Sequence, residues 1–234
     1  MAIILLCKEY NCIFVTYSRC WSKTMIEFIK DLYNLDKNVN HSTIINYNDI
    51  CLNKLSIEEL KKIKNNYNIF FMVRNPYERL ISNIGAHGFF NDKSFIETIN
   101  YFKENKYKHD TFYNEKTKIL LSGKNVRILK FDNFKKELND IFFKNNIPVK
   151  LRGKKEYTWE KTIDLSHKNK NIYELKLNIF KSYKIYNYKY FYNQEIIDYV
   201  YNEFKNDFIF FGFEKNIDDL VPNENINLNL NIHN

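Results

Sequence analysis

Short apolar runs alternate along the chain with segments of helical spacing. The run Cys12–Tyr17 is apolar, β-branched and aromatic, and residues 25–32 then repeat their apolar positions every three or four residues. A second unit begins with the continuous apolar run Asn68–Val73, the pattern of a strand buried on both faces, and a helical stretch opens at Pro76. The order of strand, loop and helix predicts an α/β fold in which helices flank a central parallel sheet.

Other patterned segments continue this alternation. Ser56 and Glu59 form the capping-box pattern of a helix that runs to about Lys64. The same kinds of pattern predict strands at 42–47 and 126–131, helices at 134–143 and 193–204, and mainly helical structure over 89–120. We therefore expect one α/β domain over residues 1–217.

The composition agrees with a single folded domain. The 234 residues are 44% hydrophobic and 17% aromatic, which is enough to bury one sizeable core. Only 5 Gly and 3 Pro are present, and no stretch has the composition of a linker. Residues 218–234 have too little apolar content to pack alone, so they are predicted to form a loosely ordered tail or to add an edge strand.

The charge balance narrows the class of partner. Lys and Arg exceed Asp and Glu by 36 − 28, which gives a net charge of +8. Such a surface favours anions: a nucleotide, a sulfated or acidic glycan, or nucleic acid.

Cysteine usage and hydropathy predict the compartment. The four cysteines have no CxxC spacing and no neighbouring His at zinc spacing, so we expect reduced thiols and no metal; they are Cys7, Cys12, Cys20 and Cys51. The apolar run 3–7 ends at Lys8 and Glu9, which makes it too short for a membrane span and unlike a signal peptide. A cytoplasmic or otherwise soluble protein is predicted.

The first candidate for chemistry is the segment 16–24, Thr-Tyr-Ser-Arg-Cys-Trp-Ser-Lys-Thr, which we call the cradle. It joins a predicted strand to a predicted helix, so backbone N–H groups and the positive end of the helix dipole would face an anion. Side-chain donors are supplied by Arg19, Ser22, Lys23 and Thr24. No Gly is present, so the cradle does not fit GxxxxGK[ST]. A capped helix with surface cations is the alternative interpretation.

The second candidate runs from Arg74 to Ser82, Arg-Asn-Pro-Tyr-Glu-Arg-Leu-Ile-Ser. Arg74 leaves the carboxyl end of a strand, where open α/β sheets bind ligands, and Ser82 follows about two helical turns later. A guanidinium and a hydroxyl suit a phosphate monoester. Arg79 is expected to pair locally, and a plain helix start with Glu78 pairing to nearby cations is the alternative.

Together these segments resemble the nucleotide-binding signatures of sulfotransferases that use 3′-phosphoadenosine 5′-phosphosulfate (PAPS). Residues 14–24 are similar to the family's 5′-phosphosulfate loop, and 74–82 match its 3′-phosphate motif R-x-P-x-x-R-x-x-S in full. Residues 165–170 resemble its H-x-N-K stretch, and 192–213 its carbohydrate-branch pattern Y-x-x-E … Y … D … F-G-[YF]. The resemblance covers about residues 12–213 and implies a P-loop-like sulfotransferase fold.

The resemblance also implies roles for single residues. Arg19 takes the place of the loop lysine that bridges the sulfuryl group and the leaving phosphate, and Arg74 and Ser82 would hold the 3′-phosphate. The rest of the nucleotide loop would be Cys20, Trp21, Ser22, Lys23 and Thr24. Three positions depart from the family pattern: Ser18 replaces a common Pro, Arg19 a usual Lys, and Trp21 a usual Gly.

The implied activity is transfer of a sulfuryl group to an acceptor hydroxyl, with a carbohydrate as the first choice and a tyrosine, a lipid or a small metabolite as alternatives. Arg19 and Lys23 would stabilise the charge of the transition state. His109 is the first candidate for the base, since a His titrates near neutral pH. Other candidates are His167, His87, Glu78 and Asp110, whereas His41 and His233 are expected at the surface.

Two other functions stay open at this point. A P-loop kinase or nucleotide hydrolase would use the cradle for a β/γ-phosphate and Asp132 for magnesium. A basic, non-catalytic module for glycans or nucleic acid would use the Lys- and Tyr-rich stretch 181–192. We prefer the sulfotransferase hypothesis. Its partner would be a sulfate acceptor and not nucleic acid.

Overall fold

A four-stranded sheet lies at the centre of the first of two units in the chain. The structure, a computed structural model, describes residues 2–17, 20, 22–36, 38–40, 42–84, 92–109, 111–130, 134–148 and 191–217. One unit comprises Met1–Asn75 and Asp110–Lys155, and the other comprises Pro76–His109 and Glu156–Asn234.

The sheet combines three parallel strands with one antiparallel edge strand. The strands are β1 (Ala2–Cys7), β2 (Cys12–Tyr17), β3 (Asn68–Val73) and β4 (Val126–Lys130), in the spatial order β1-β2-β3-β4. β2, β3 and β4 run parallel, while β1 pairs antiparallel to β2 from Cys7↔Cys12 to Ala2↔Tyr17. The predicted α/β class with a helix-flanked central sheet is confirmed, and the sheet is mostly parallel; the antiparallel edge strand β1 was not predicted.

Helices fill most of the remaining described chain. They are α1 (Ser22–Tyr33), α2 (Ile57–Ile63), α3 (Pro76–Ile84), α4 (Phe95–Glu104), α5 (Glu115–Leu121), α6 (Phe134–Lys144), α7 (Gln194–Glu203) and α8 (Lys205–Phe211). The predicted capping box of α2 is confirmed, because Ser56 Oγ accepts from the Glu59 N–H and the Glu59 carboxylate accepts from the Ser56 N–H. The helices predicted to start near residues 76, 134 and 193 are confirmed as α3, α6 and α7.

One face of the sheet packs against α1 and α6. The ring of Phe14 on β2 lies 5.9 Å from Phe28 of α1 and 5.9 Å from Phe142 of α6, and these two helix rings stack at 4.4 Å. All three rings are buried. Burying an aromatic ring of this size contributes roughly 1.5–3 kcal/mol, so this cluster fixes α1, and with it the end of the cradle, on the sheet.

The opposite face is also covered, which explains the continuous apolar pattern of the strands. Phe112, which precedes α5, packs against Tyr17 of β2 at 5.5 Å and against Phe71 of β3 at 6.1 Å. All three side chains are at most 1% exposed. Strands buried on both faces take apolar residues at nearly every position, and β2 and β3 have this composition apart from Thr16 and Asn68.

The described part of the second unit is built from α3, α4, α7 and α8. Tyr77 of α3 lies at the centre of its aromatic core, with ring centroids 4.9 Å from Tyr192 and 5.0 Å from Phe208. The apolar face predicted for residues 193–204 is confirmed, since its members are buried: Ile196, Ile197, Val200 and Phe204. α8 ends at Gly212, whose φ of 61° is the left-handed conformation that favours glycine.

The strand predicted at residues 42–47 is wrong. This segment forms turns and a 3₁₀ helix at Ile44–Asn46. The cause lies just before it, where the Asn40 side-chain oxygen accepts from the backbone N–H groups of Ser42 and Thr43 and bends the chain. Ile44 is buried in the core, which explains the apolar residues that resembled a strand.

Instead of a further strand, a short segment covers the outer edge of β1. Asn53 uses its side chain like a strand partner: its Oδ1 accepts from the Ile4 N–H at 2.8 Å and its Nδ2 donates to the Ala2 carbonyl at 2.6 Å. The Leu6 N–H donates to the Ile50 carbonyl at 2.7 Å. Covering an edge in this way prevents pairing with other chains.

Three further sequence predictions concern membranes, metals and the tail. Within the described ranges, no helix is long and apolar enough to cross a membrane. The same residues contain no group of three or more His, Cys, Asp or Glu that could hold a metal ion. The tail 218–234 lies outside the described residues, so the domain limits of 1–217 stay a prediction.

Candidate functional site

The cradle and Arg74 follow two strands that end at the same edge of the sheet. β2 and β3 are parallel neighbours, with Val15 opposite Phe71, so their carboxyl ends lie side by side. The cradle leaves β2 at this edge and Arg74 leaves β3 at the same edge. About fifty residues separate the cradle from Arg74 in the sequence, and the parallel register places the strand ends that precede them side by side. Open α/β sheets bind ligands at such carboxyl edges.

The chain turns tightly from β2 into α1. The Cys20 N–H donates to the Tyr17 carbonyl at 2.8 Å, and the buried Thr16 hydroxyl donates to the Cys20 carbonyl. Cys20 itself is 1% exposed. Of the predicted cradle residues, Cys20 therefore fixes the turn through its backbone. The role of Thr16 was missed, because a hydroxyl that bonds to the backbone has no distinct sequence signal.

The first turn of α1 differs from the other described helices. It contains Ser22, Lys23 and Thr24 and no carboxylate, with Ser22 and Thr24 buried and Lys23 exposed. Each of the other described α-helices has an acidic residue in its first turn; these are Glu58 and Glu59, Glu78, Glu97, Glu115, Glu137, Glu195 and Asp207. The positive end of the α1 dipole thus has no neutralising carboxylate in this turn, which favours an anion there.

Several predicted residues fall outside the part of the chain that the structure describes. They are Ser18, Arg19, Trp21, His41, His87, Asp110, Asp132, the stretch 165–170 with His167, residues 181–190 and His233. Their predicted roles stay predictions.

The motif 74–82 contains one residue with an unexpected partner. Arg79 has a partner that is distant in the sequence: its Nη2 lies 2.5 Å from Oδ2 of Asp207, 128 positions away. Both side chains are at most 2% exposed, and the Arg79 guanidinium lies 4.9 Å from the Phe204 ring. Removing one partner of such a buried pair costs about 3–5 kcal/mol. Arg79 is therefore a structural residue of the second unit.

Three further predicted side chains of this unit are half-buried: Glu78, Ser82 and His109. Ser82 lies on α3, one turn after Arg79. His109 has Nε2 2.8 Å from the Tyr199 hydroxyl, and its ring centroid is 4.8 Å from Phe102. Burial raises the pKa of the Tyr199 hydroxyl, so this group keeps its proton at neutral pH. The tautomer of His109 decides which of the two groups donates.

The family of the chain follows from a comparison with known proteins. The profile described as the sulfotransferase family matches residues 4–147 of the 234 residues, which is more than half of the chain. The matched segment contains β2, β3 and β4 together with the cradle and the motif 74–82. No curated protein and no solved structure matches the chain significantly. The chain belongs to the sulfotransferase family.

Proposed function

We propose that the protein is a PAPS-dependent sulfotransferase whose acceptor is a carbohydrate hydroxyl. The observation that carries this proposal is that the cradle and Arg74 follow the neighbouring carboxyl ends of β2 and β3. Family membership supports sulfuryl transfer in general. The net charge of +8 agrees with an anionic nucleotide.

The donor chemistry of this edge fits a nucleotide with phosphates at both ends. Ser22, Lys23 and Thr24 would hold the 5′-phosphate, since they occupy a helix start without a carboxylate in its first turn. Arg74 and Ser82 would hold the 3′-phosphate, because a guanidinium and a hydroxyl are the donors that a phosphate monoester accepts from. These assignments follow from the resemblance of the two motifs to the nucleotide-binding signatures of sulfotransferases.

The proposed catalytic roles follow from charge and proton transfer. When bound, PAPS supplies a sulfuryl group whose bond to the 5′-phosphate breaks as a bond to the acceptor oxygen forms. Arg19 and Lys23 stabilise the negative charge that develops on the equatorial and leaving oxygens. His109 takes the acceptor proton, through the ring nitrogen that carries no proton. Positioning and charge stabilisation therefore supply most of the catalysis.

The carbohydrate acceptor is supported by the C-terminal pattern 192–213, which resembles that of the carbohydrate branch. Tyrosine, lipid and small-metabolite acceptors are the alternatives. Assay of radiolabelled PAPS against a panel of these acceptor classes distinguishes them, and label in the non-carbohydrate classes alone would overturn this part of the proposal.

Adenosine 3′,5′-bisphosphate, the product left by sulfuryl transfer, is expected to stabilise the fold. A ligand at a hundred times its Kd adds about 2.7 kcal/mol to the free energy of unfolding. Thermal unfolding with this nucleotide, with AMP and with ATP plus magnesium measures the effect. AMP is the matched control, because it lacks only the 3′-phosphate. Equal or larger stabilisation by ATP with magnesium would favour the kinase hypothesis.

Arg74→Ala is expected to raise the Kd for adenosine 3′,5′-bisphosphate about tenfold or more. A lost charge-assisted hydrogen bond costs roughly 1.5–3 kcal/mol. The matched control is Arg127→Ala, which removes an exposed arginine of β4 that pairs with Glu137 at 3.3 Å. In calorimetry, Arg127→Ala should bind the nucleotide with the parent Kd, whereas Arg74→Ala should not. If Arg74→Ala also binds like the parent, the 3′-phosphate site is misplaced.

A further inference from the structure

Two of the four cysteines face each other across the first two strands of the sheet. Cys7 ends β1 and Cys12 begins β2, and the antiparallel register pairs them directly. Both are buried in one core cluster with Leu5 and Phe14, which form the pair two residues further along the same ladder. The two cysteine side chains therefore lie on the same face of the sheet. We call Cys7 and Cys12 the thiol pair.

The strand register sets the separation of the thiol pair. Directly opposed residues of an antiparallel ladder have Cα atoms about 4.5 or 5.5 Å apart, depending on whether the two residues exchange hydrogen bonds. Cysteines joined by a disulfide have Cα atoms about 4.4–6.8 Å apart. Both ladder distances fall within this range, so a bond between the two sulfurs does not require the strands to separate.

The other two cysteines have different neighbours. Cys51 pairs with Leu5 in an isolated bridge, and its Sγ donates to Oδ1 of Asn53 at 3.2 Å. Cys20 follows β2 at the end opposite to Cys12. Within the described strands, the register thus opposes one pair among the four thiols, all of which are free.

The turn that joins the two strands controls access to the thiol pair. It spans residues 8–11, most of which are exposed, whereas both cysteines are buried. Burial raises the pKa of both thiols, to about 11 for Cys12 and further for Cys7. Since the thiolate is the reactive form, the closed hairpin protects the pair, and an oxidant reaches it when the turn end opens locally. The smaller shift makes Cys12 the first nucleophile.

We propose that the thiol pair is a modification site at which a low-molecular-weight disulfide, of the class of oxidised glutathione, forms a Cys7–Cys12 disulfide. The Cys12 sulfur loses its proton and attacks one sulfur of the reagent, whose S–S bond breaks and releases one thiolate. The Cys7 sulfur then loses its proton, attacks the Cys12 sulfur and displaces the second thiolate. The protein gives up two protons and two electrons, and the reagent becomes two thiols. This inference does not depend on sulfuryl transfer.

The test measures the equilibrium between dithiol and disulfide in the full chain. The protein is equilibrated with reduced and oxidised glutathione, starting both from the reduced chain and from chain refolded in the same buffer, and free thiols are then alkylated. Tryptic cleavage after Lys8 and Arg19 places the two thiols on separate peptides. Mass spectrometry of the linked peptides 1–8 and 9–19 therefore identifies the disulfide. The same measurement in urea is the matched control, because closeness in sequence alone favours this link in an unfolded chain.

The ratio of disulfide to dithiol is expected to be at least about tenfold higher in the native chain than in urea, because the register holds the two sulfurs together. Cys51→Ala should keep this difference, since Cys51 lies opposite Leu5 and not opposite the thiol pair. A link to Cys51 in place of Cys12, or the absence of linked peptides at equilibrium, would overturn the proposal. So would a ratio no higher in the native chain than in urea.

Discussion

Arg19→Ala is expected to lower kcat for sulfuryl transfer by about two to three orders of magnitude, the effect of removing one preorganised charge-stabilising donor. Arg19 belongs to the cradle, which leads from β2 into the first turn of α1, a turn that lacks a carboxylate. Arg19→Lys restores the residue that is usual in the family and should retain much of the rate. Transfer of label from radiolabelled PAPS to an acceptor measures both variants.

The control for this prediction is a matched loss of positive charge elsewhere. Arg127→Ala removes an arginine that is 51% exposed, and it should leave kcat within about twofold of the parent. Thermal unfolding of each variant separates catalysis from stability. An unchanged rate in Arg19→Ala would remove the basis of the proposed active site.

His109→Ala is expected to lower kcat by about a hundredfold or more if His109 is the general base. The affinity for adenosine 3′,5′-bisphosphate should stay at the parent value, because the proposed base acts on the acceptor. Tyr199→Phe is the partner variant: it removes the hydroxyl that lies 2.8 Å from Nε2. We expect Tyr199→Phe to lower kcat about threefold to tenfold, which is the usual effect of losing one neutral hydrogen bond.

Two outcomes would reassign the base. An unchanged rate in His109→Ala would move the role to His87, His167 or a carboxylate such as Glu78 or Asp110. If the lost kcat of His109→Ala is matched by a comparable loss in the free energy of unfolding, the imidazole only fills space. Its neighbours are Phe102 and Phe204, whose rings lie 4.8 and 5.3 Å from it.

The parts of the fold that the sequence predicts are those with strong local signals. β2 and β3 are continuous apolar runs because both sheet faces are covered, and Ser56 marks its helix because the capping box is a local contact. Residues 2–7 are equally apolar, but only their pairing with β2 and their cover by Asn53 make them a strand. The strand predicted at residues 42–47 does not form, because the side chain of Asn40 bends the chain just before them.

Some features of the candidate site could likewise be predicted from the sequence, and others could not. The sequence predicted that Arg74 leaves the carboxyl end of a strand, where open α/β sheets bind ligands. That β2 and β3 are direct parallel neighbours is a finding of the structure. The partner of Arg79 could not be predicted, since periodicity contains no information on a residue 128 positions away. The contact between His109 and Tyr199 spans 90 positions and could not be predicted for the same reason.

A crystal structure of the protein with adenosine 3′,5′-bisphosphate tests the central claim most directly. We predict the 5′-phosphate at the first turn of α1, against the backbone and side chains of Ser22, Lys23 and Thr24. The 3′-phosphate is predicted to accept hydrogen bonds from the guanidinium of Arg74 and the hydroxyl of Ser82. A nucleotide bound away from the carboxyl edge of β2 and β3, or a 3′-phosphate that does not touch Arg74, would contradict the account.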